Sequence, residues 1–483
     1  MTATFGSCGF ALLGSHSTQC FVGPISLVRQ KWQTIGERIL YSEDRGLTAV
    51  NAFELAVRFF SHPQDLAPEQ AAMARGLLSS LGYLDLDDAN PGQVEADNRQ
   101  RLLSAAASFG NLFRLHARHA PGLYFFGAQV QRNWGDSVLS TSASFSGVGL
   151  TPARAFEACI GEGVEYHSEW QVPHGTRTRA DMPNGVSRWE DARLAEHLDD
   201  FRVQSGFDES ARWVPARRID DGRQGYLPET LFIRSASRGA WATSCGCAAG
   251  ITHQAALTSA LLEAIERDAA AAWWRSRRGG QLIGLEALAS AGVLDLLARI
   301  RQARLGRCTQ FLHISAEFPA PVVAAISFDA DGRNQAVGLA CRLDAGDALR
   351  AALLEMCQME LALDVTAMKR REQGDERLGE SERLQAERSV MLSAADTDLV
   401  SQLSSGLLAN KNDEKGSNFV SLVGEMLKKQ YRIYAADLTT PMFDIPVAKV
   451  FIPGLQPFPS PFQSRRLRSL IDQAGPSGRA DLI

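Results

Sequence analysis

Four glutamates define the chemistry open to this chain of 483 residues. Glu162 and Glu165 stand three apart, and Glu263 and Glu266 repeat that spacing 101 positions later. Residues three apart share a helix face, and both pairs lie in small, apolar sequence, AFEACIGEGVEYHSEW and ALTSALLEAIERDAAAAWW. Two acids side by side in such a helix repel each other and resist desolvation, so a cation is expected to face them. A third segment, AGDALRAALLEMCQMELAL, carries Glu355 and Gln358 at the same spacing. One such pair reads as solvated helix surface. Three in the same setting read as a site, because a solvated face carries mixed charge along its length. Carboxylates and amides gathered from several helices suit a hard cation such as magnesium, which commonly bridges nucleotide phosphates. The sequence has no GxxxxGK[ST] loop, no kinase Gly-rich loop and no HRD or DFG set. A nucleotide would therefore have to be held by a carboxylate-and-magnesium cage of another design.

The elements that must position these acids are visible as a gapless repeat. Gly149 aligns with Gly250, Thr151 with Thr252, Glu162 with Glu263 and Glu165 with Glu266. Internal duplication is the simplest account. Glycine permits a tight approach, threonine is a good N-cap, and Pro152 suits the first helical position. The Ala- and Leu-rich sequence that follows then propagates a helix.

Elsewhere, residues 50–83 read as two short helices around a Pro-containing turn, either a winged-helix-like module or a plain helical extension. ANPGQVEADNRQ (residues 89–100) reads as a polar, turn-rich boundary. The expected division is a mainly helical region, residues 1–99, serving peptide or partner docking, and a main domain, residues 100–483. From Leu123 short apolar runs alternate with Gly- and Ser-rich turns and Ala-rich helices. LYFFGAQVQ, ETLFIRSA, PVVAAISFD, YRIYAADL and PVAKVFI are strand candidates, and the order predicts an α/β or α+β domain with a mixed sheet. The charged stretch at 369–388 reads as a solvated helix or mobile loop.

Composition excludes several classes. A net charge of −5 gives no basic excess for sequence-independent nucleic-acid binding. No apolar run approaches the ~20 residues of a membrane span, and MTATFGSCGFALLGSHSTQC lacks the basic start and apolar core of a secretory signal. A cytoplasmic protein is expected. The eight cysteines (Cys8, Cys20, Cys159, Cys245, Cys247, Cys308, Cys341 and Cys357) are scattered and read as reduced core thiols. The Cys245–Cys247 pair lacks the second pair or nearby histidine that would complete a zinc site. His116 and His119 come without a carboxylate motif and read as solvated or capping side chains.

These segments resemble the YcaO superfamily, and in particular its azoline-forming cyclodehydratases of ribosomal peptide biosynthesis. TSCGCAAGITHQAALTSALLEAIERDAAAAWW is similar to the family's SNG-x-AAG-x-T…E-x-x-ER-D-A signature. SGVGLTPARAFEACIGEGVEYHSE is similar to its SGGKG…GE-x-x-ERYS segment, QAVGLACRLDAGDALRAALLEMCQ to its AL-x-AL-x-E-x-x-Q segment, and DIPVAKVFIPGLQPF to its PGL segment. The resemblance spans roughly residues 100–475. It implies ATP and Mg²⁺ as cofactors, held by Glu162, Glu165, Ser259, Glu263, Glu266, Arg267, Glu355 and Gln358, with the metal on Glu162, Glu165, Glu263 and Glu266. It implies a precursor peptide whose backbone amides are phosphorylated, so that Cys, Ser or Thr closes to thiazoline or oxazoline. Thioamide or macroamidine formation and a non-catalytic peptide-binding scaffold are the alternatives. Implied partners are an E1-like or ocin-type protein and a dehydrogenase, and domains of this kind often dimerise. Three positions depart from the pattern: Val148 replaces a lysine, Ala158 a serine and Tyr166 an arginine. Pro457, Pro459 and Pro461 match either the proline-rich tail that organises such active sites or an ordinary extended segment. In relatives that tail ends the chain, whereas here 22 residues follow Pro461.

Overall fold

The structure is a computed structural model. It describes residues 36–38, 49–84, 93–109, 111–133, 140–178, 181, 189, 191–206, 212–234, 244–304, 306–315, 317–391, 400–401 and 418–476. The strands are β1 (Gly36–Arg38), β2 (Asn111–Leu115), β3 (Tyr124–Asn133), β4 (Ser140–Gly149), β5 (Trp213–Arg218), β6 (Gln224–Pro228) and β7 (Cys247–Ala249). They continue as β8 (Gly280–Leu282), β9 (Arg307–Ser315), β10 (Val322–Asp329), β11 (Ala336–Cys341), β12 (Val400–Ser401), β13 (Tyr434–Asp437) and β14 (Val447–Phe451). The helices are α1 (Ala49–Ser61), α2 (Pro68–Ser80), α3 (Gln93–Ala107), α4 (Pro152–Ser168), α5 (Ala192–Ser205) and α6 (His253–Arg275). After them come α7 (Leu285–Ser290), α8 (Val293–Arg301), α9 (Ala345–Gln373), α10 (Glu380–Met391), α11 (Phe419–Lys428) and α12 (Arg465–Ala474).

Among the described residues the strands form three sheets, ordered β1-β2-β3-β4, β11-β10-β9-β8-β12 and β6-β5-β13-β14-β7. Neighbours pair antiparallel except β12 with β8, which run parallel. The expected mixed α/β architecture with a helical N-terminal region is what the structure shows. All six residues of β11 and the first six of β10 are buried, because α9 covers one face and the core around α6 the other. That double burial explains why these strands read as unbroken apolar runs rather than alternating ones.

Helices α1–α3 are packed onto the same core as α4. Phe53 stacks on Phe156 with ring centroids 6.3 Å apart, and Tyr83 meets Phe156 edge-on at 5.8 Å. Two expectations need correction. ETLFIRSA is not a strand: β6 stops at Pro228, and a 3₁₀ turn, Glu229–Leu231, follows. The cause is Glu229, whose buried carboxylate accepts two hydrogen bonds from Arg212, at 2.7 and 2.9 Å, and so turns the backbone away. Residues 235 and 236 of that segment lie outside the described residues. The polar run at 89–100 is helical from Gln93, because it is the first turns of α3, whose Asn98, Arg99, Leu102 and Leu103 are buried. Residues 89–92 lie outside the described residues, as does the stretch read for a secretory signal. The charged segment at 369–388 is helical through most of its length.

Cys159, Cys247, Cys341 and Cys357 are buried free thiols, Cys245 is half-buried and Cys308 is exposed, while Cys8 and Cys20 lie outside the described residues. No described helix is long and apolar enough to cross a membrane.

Candidate functional site

Each sheet ends in a strand that runs directly into a long helix: β4 into α4, β7 into α6 and β11 into α9. The junctions are built alike. Thr151 Oγ1 accepts from the N–H of Arg154 at 3.3 Å, Thr252 Oγ1 from Ala255 at 3.1 Å, and Asp344 Oδ1 from Asp347 at 2.9 Å. These side chains satisfy amide donors that the first helical turn leaves open. At the repeat-equivalent glycines the turn closes on its own helix. A Cβ on Gly149 would sit 2.6 Å from the nitrogen of Ala155, and one on Gly250 would sit 2.5 Å from that of Ala256.

This junction delivers one acid of each helix back to its own strand. Glu162 accepts from the N–H of Ser146 (3.2 Å), Glu263 from Cys247 (3.1 Å) and Glu355 from Leu339 (3.3 Å), each donor sixteen residues upstream. The residue three further on reaches the next unit. Glu165 accepts from Ala249 N–H of β7 at 2.7 Å, and Glu266 from Cys341 N–H of β11 at 2.9 Å. Gln358 closes the circle by donating to Ser146 of β4, 3.0 Å to its carbonyl and 2.6 Å to its hydroxyl. The three units thus form a ring with quasi-threefold order, in which α4 packs on β7, α6 on β11 and α9 on β4. The five glutamates and one glutamine expected from the three helices are linked into one ring. The third unit differs by presenting an amide, which is why it donates to a carbonyl where the others accept from N–H.

The electrostatics of the ring favour an incoming cation. Burial is the largest influence on every acid in it. Glu162 is pushed up to about 8 with only the Ser146 N–H opposing, and Glu263 to about 7 because Arg267 offsets part of the burial. Glu165, Glu266 and Glu355 are also raised. Arg267 Nε lies 3.4 Å from Glu263 and 3.9 Å from Glu266. No ion pair to Glu162 or Glu165 occurs among the described residues. Glu266 Oε1, Glu355 Oε1 and Gln358 Oε1 are buried without a hydrogen-bond partner. Buried oxygens left without hydrogen bonds, on carboxyls whose ionised form a cation would stabilise, fit a hard divalent cation. Among the described residues no three acid, histidine or cysteine groups converge tightly enough to hold an ion unaided. Magnesium here would complete its shell with phosphate oxygens and water, as it usually does.

Ser259 is half-buried one turn before Glu263. Among the departures, Val148 packs in the apolar core that includes Leu349 and Met356 of α9. Ala158 is half-buried, and Tyr166 lies tilted against Phe145 (5.7 Å) and edge-on to Trp170 (6.1 Å). Pro457 and Pro459 are half-buried and Pro461 is exposed. What anchors the segment is its other residues. Phe458 and Phe462 are 1% exposed, and Gln456 accepts from Ser464 N–H at 2.7 Å while donating to the carbonyls of Pro457 (2.8 Å) and Phe462 (2.6 Å). Asp268, next to Arg267, accepts from Gln456 N–H at 2.9 Å, so the segment is tied to α6 one residue beyond the ring.

Sequence reasoning missed two charged residues nearby. Glu169 continues the acidic stripe of α4, and Lys449 Nζ of β14 lies 2.8 Å from its Oε1, both almost fully buried. The signal for Lys449 was a lone lysine inside the apolar run PVAKVFI, since lysine is almost never buried unpaired.

Comparison with known proteins identifies the family and the fold. Residues 146–456 match the family model described as YcaO cyclodehydratase, ATP- and Mg²⁺-binding. No curated protein matches the chain. A structure described as a heterocyclase in complex with substrate and cofactor aligns with TM-score 0.58 at 20% identity, over 78% of this chain and 55% of its own. The chain therefore spans little more than half that protein's length. YcaO from Methanopyrus kandleri bound with AMPPCP and Mg²⁺ aligns with TM-score 0.52 at 17% identity, over 75% of this chain and 91% of its own. The Escherichia coli microcin synthetase McbBCD complex gives TM-score 0.52 at 16% identity, over 71% and 87%. At these identities the structures show a shared fold.

Proposed function

The chain belongs to the YcaO family of ATP- and Mg²⁺-binding proteins, and from that premise we propose that it cyclodehydrates a ribosomally made precursor peptide. What supports this reading is the ring of buried carboxylates, whose unpartnered oxygens suit a magnesium-bound triphosphate. Glu162, Glu165, Glu263 and Glu266 are the proposed metal-side ligands. Ser259, Arg267, Glu355 and Gln358 complete the phosphate site. Bound there, the nucleotide supplies a phosphoryl group that turns an amide oxygen, a very poor leaving group, into phosphate. In the overall change a Cys, Ser or Thr side chain bonds to the preceding carbonyl carbon, the amide nitrogen and the side chain each lose a proton, and the carbonyl oxygen departs in inorganic phosphate. The protein's part is positioning and charge stabilisation. Arg267, fixed between two acids, offers its guanidinium to phosphate oxygens. The segment 457–461, tied to α6 through Gln456 and Asp268, is proposed to position the reacting amide. Residues 1–99 are proposed to dock the precursor or a partner, of the E1-like or ocin type.

A non-catalytic scaffold is favoured by the losses at positions 148, 158 and 166. Weighing against it, five buried acids with raised proton affinity are costly to keep in a protein that never binds a cation. Purified protein, magnesium, ATP and candidate precursors from neighbouring reading frames provide the test. Phosphate release coupled to loss of one water per ring in the peptide is expected. Hydrolysis with an unaltered peptide mass, or none with any candidate, would overturn the cyclodehydratase reading, and mass changes diagnostic of sulfur gain would point to thioamides.

A further inference from the structure

The two repeats carry their positive charge differently. In the second, Arg267 directly follows Glu266 and lies between the two acids. The equivalent residue in the first is Tyr166. There α4 is followed by a third acid, Glu169, seven residues beyond Glu162 and so on the same stripe; its counterpart in the second repeat is Ala270. Glu169 draws cations from two other elements. Lys449 Nζ is 2.8 Å from Oε1, and Arg234 Nη1 is 3.6 Å from Oε2. The Arg234 N–H also donates to the Glu169 carbonyl at 2.7 Å, which fixes the residue at the end of α4.

The Arg234 guanidinium lies 5.8 Å from the ring centre of Tyr166 and 5.5 Å from that of Trp170. Its side chain is 9% exposed, and Nη1 is buried without a hydrogen-bond partner. Lys449 meets Glu169 at contact distance, whereas Arg234 reaches it only at 3.6 Å and keeps Nη1 without a hydrogen-bond acceptor. Glu169 stands one helical turn from Glu165, about 6 Å along the axis. A planar guanidinium beside two aromatic rings, paired with the residue that extends the acidic stripe, suits an anionic oxygen.

We infer that Arg234 is a further phosphate-binding residue, reaching over Tyr166 to do for the first repeat what Arg267 does for the second. The inference rests on the nucleotide reading above, and titration of the full chain with Mg²⁺·AMPPCP separates the two. If the wild-type protein does not bind the analogue, the nucleotide reading itself fails. If it binds, Arg234→Gln is expected to weaken affinity about tenfold or more. Adding Tyr166→Arg to that variant, which returns a guanidinium to the repeat-equivalent position, is expected to recover most of the loss. Unchanged affinity in Arg234→Gln would overturn the inference. So would a loss that tracks a fall in Tm of the nucleotide-free protein and is not recovered by Tyr166→Arg, which would make Arg234 only a structural partner of Glu169. Should Arg234→Gln not fold, Arg234→Lys carries the test: it keeps the charge but not the planar fork, so weaker binding is expected and wild-type binding would overturn the inference.

Discussion

Glu266 shows most clearly what a single residue contributes to the ring. One carboxylate oxygen accepts from Cys341 N–H at 2.9 Å, and the other is buried without a hydrogen-bond partner, with Arg267 Nε 3.9 Å away. Its charge also raises the proton affinity of Glu355 across the ring. Removing that charge should help the nucleotide-free fold and harm nucleotide binding. Glu266→Gln is accordingly expected to stabilise the protein by about 1 kcal/mol in denaturant titration, since a buried charge without a full partner is costly. ATP turnover should fall further than the roughly 10–100-fold typical of residues one shell out from a metal. Turnover that survives with unchanged magnesium dependence would move the metal site to other helices. Arg267 and Tyr166 make the complementary point. Repeat-equivalent positions differ, and in the first repeat the cations, Lys449 and Arg234, come from elements far apart in the chain and meet Glu169.

The strand–helix junction is the element that makes the ring. Much of it was legible: the Gly-x-Thr start, the helix that follows and the three-residue acid spacing all come from local preferences that hold in any context. The closing of the ring was not, because Glu165, Glu266 and Gln358 each hydrogen-bond to a strand of another unit, and no spacing in one segment reveals a partner 75 to 212 positions away. The third unit was recognised only as a similar helix, since its cap is Asp344 rather than threonine and its second polar residue is an amide. ETLFIRSA misled for a local reason, the burial of Glu229 against Arg212. The proline segment was read from its prolines, whereas its anchors are Gln456, Phe458 and Phe462. Replacing Pro457, Pro459 and Pro461 together by alanine should lower peptide turnover at least ~10-fold while leaving Mg²⁺·nucleotide affinity within about twofold, because small displacements of a reacting group cost rate steeply. Equal losses in both would place the segment in the nucleotide site, and full activity would reduce it to a surface connection.

At the scale of the whole molecule, three sheets and the N-terminal helices are held around a centre that resists its own charge. The consequence is an unusual pH dependence. Glu162 and Glu263 titrate near 8 and 7 in the folded chain, against an ordinary value of 4.5. A raised folded value means that the fold binds protons the unfolded chain has already released, so stability is full below about 4.5 and is lost as pH rises through 7 to 8. Tm of the nucleotide-free protein is therefore expected to fall between pH 5 and 8, each such carboxyl contributing up to about 1.4 kcal/mol per pH unit. Saturating Mg²⁺ and ATP should flatten the decline. A Tm that instead rose over that range would mean the acids are ionised and partnered in the free protein. The most direct measurement of the central claim is calorimetric titration of the purified chain with ATP, with magnesium and with EDTA, alongside the Glu162→Gln/Glu263→Gln double variant. Saturable binding that requires magnesium, and that disappears in the folded double variant, is the expected result. Binding that persists in EDTA, or that the double variant retains at wild-type affinity, would contradict a magnesium-bound nucleotide held by the carboxylate ring.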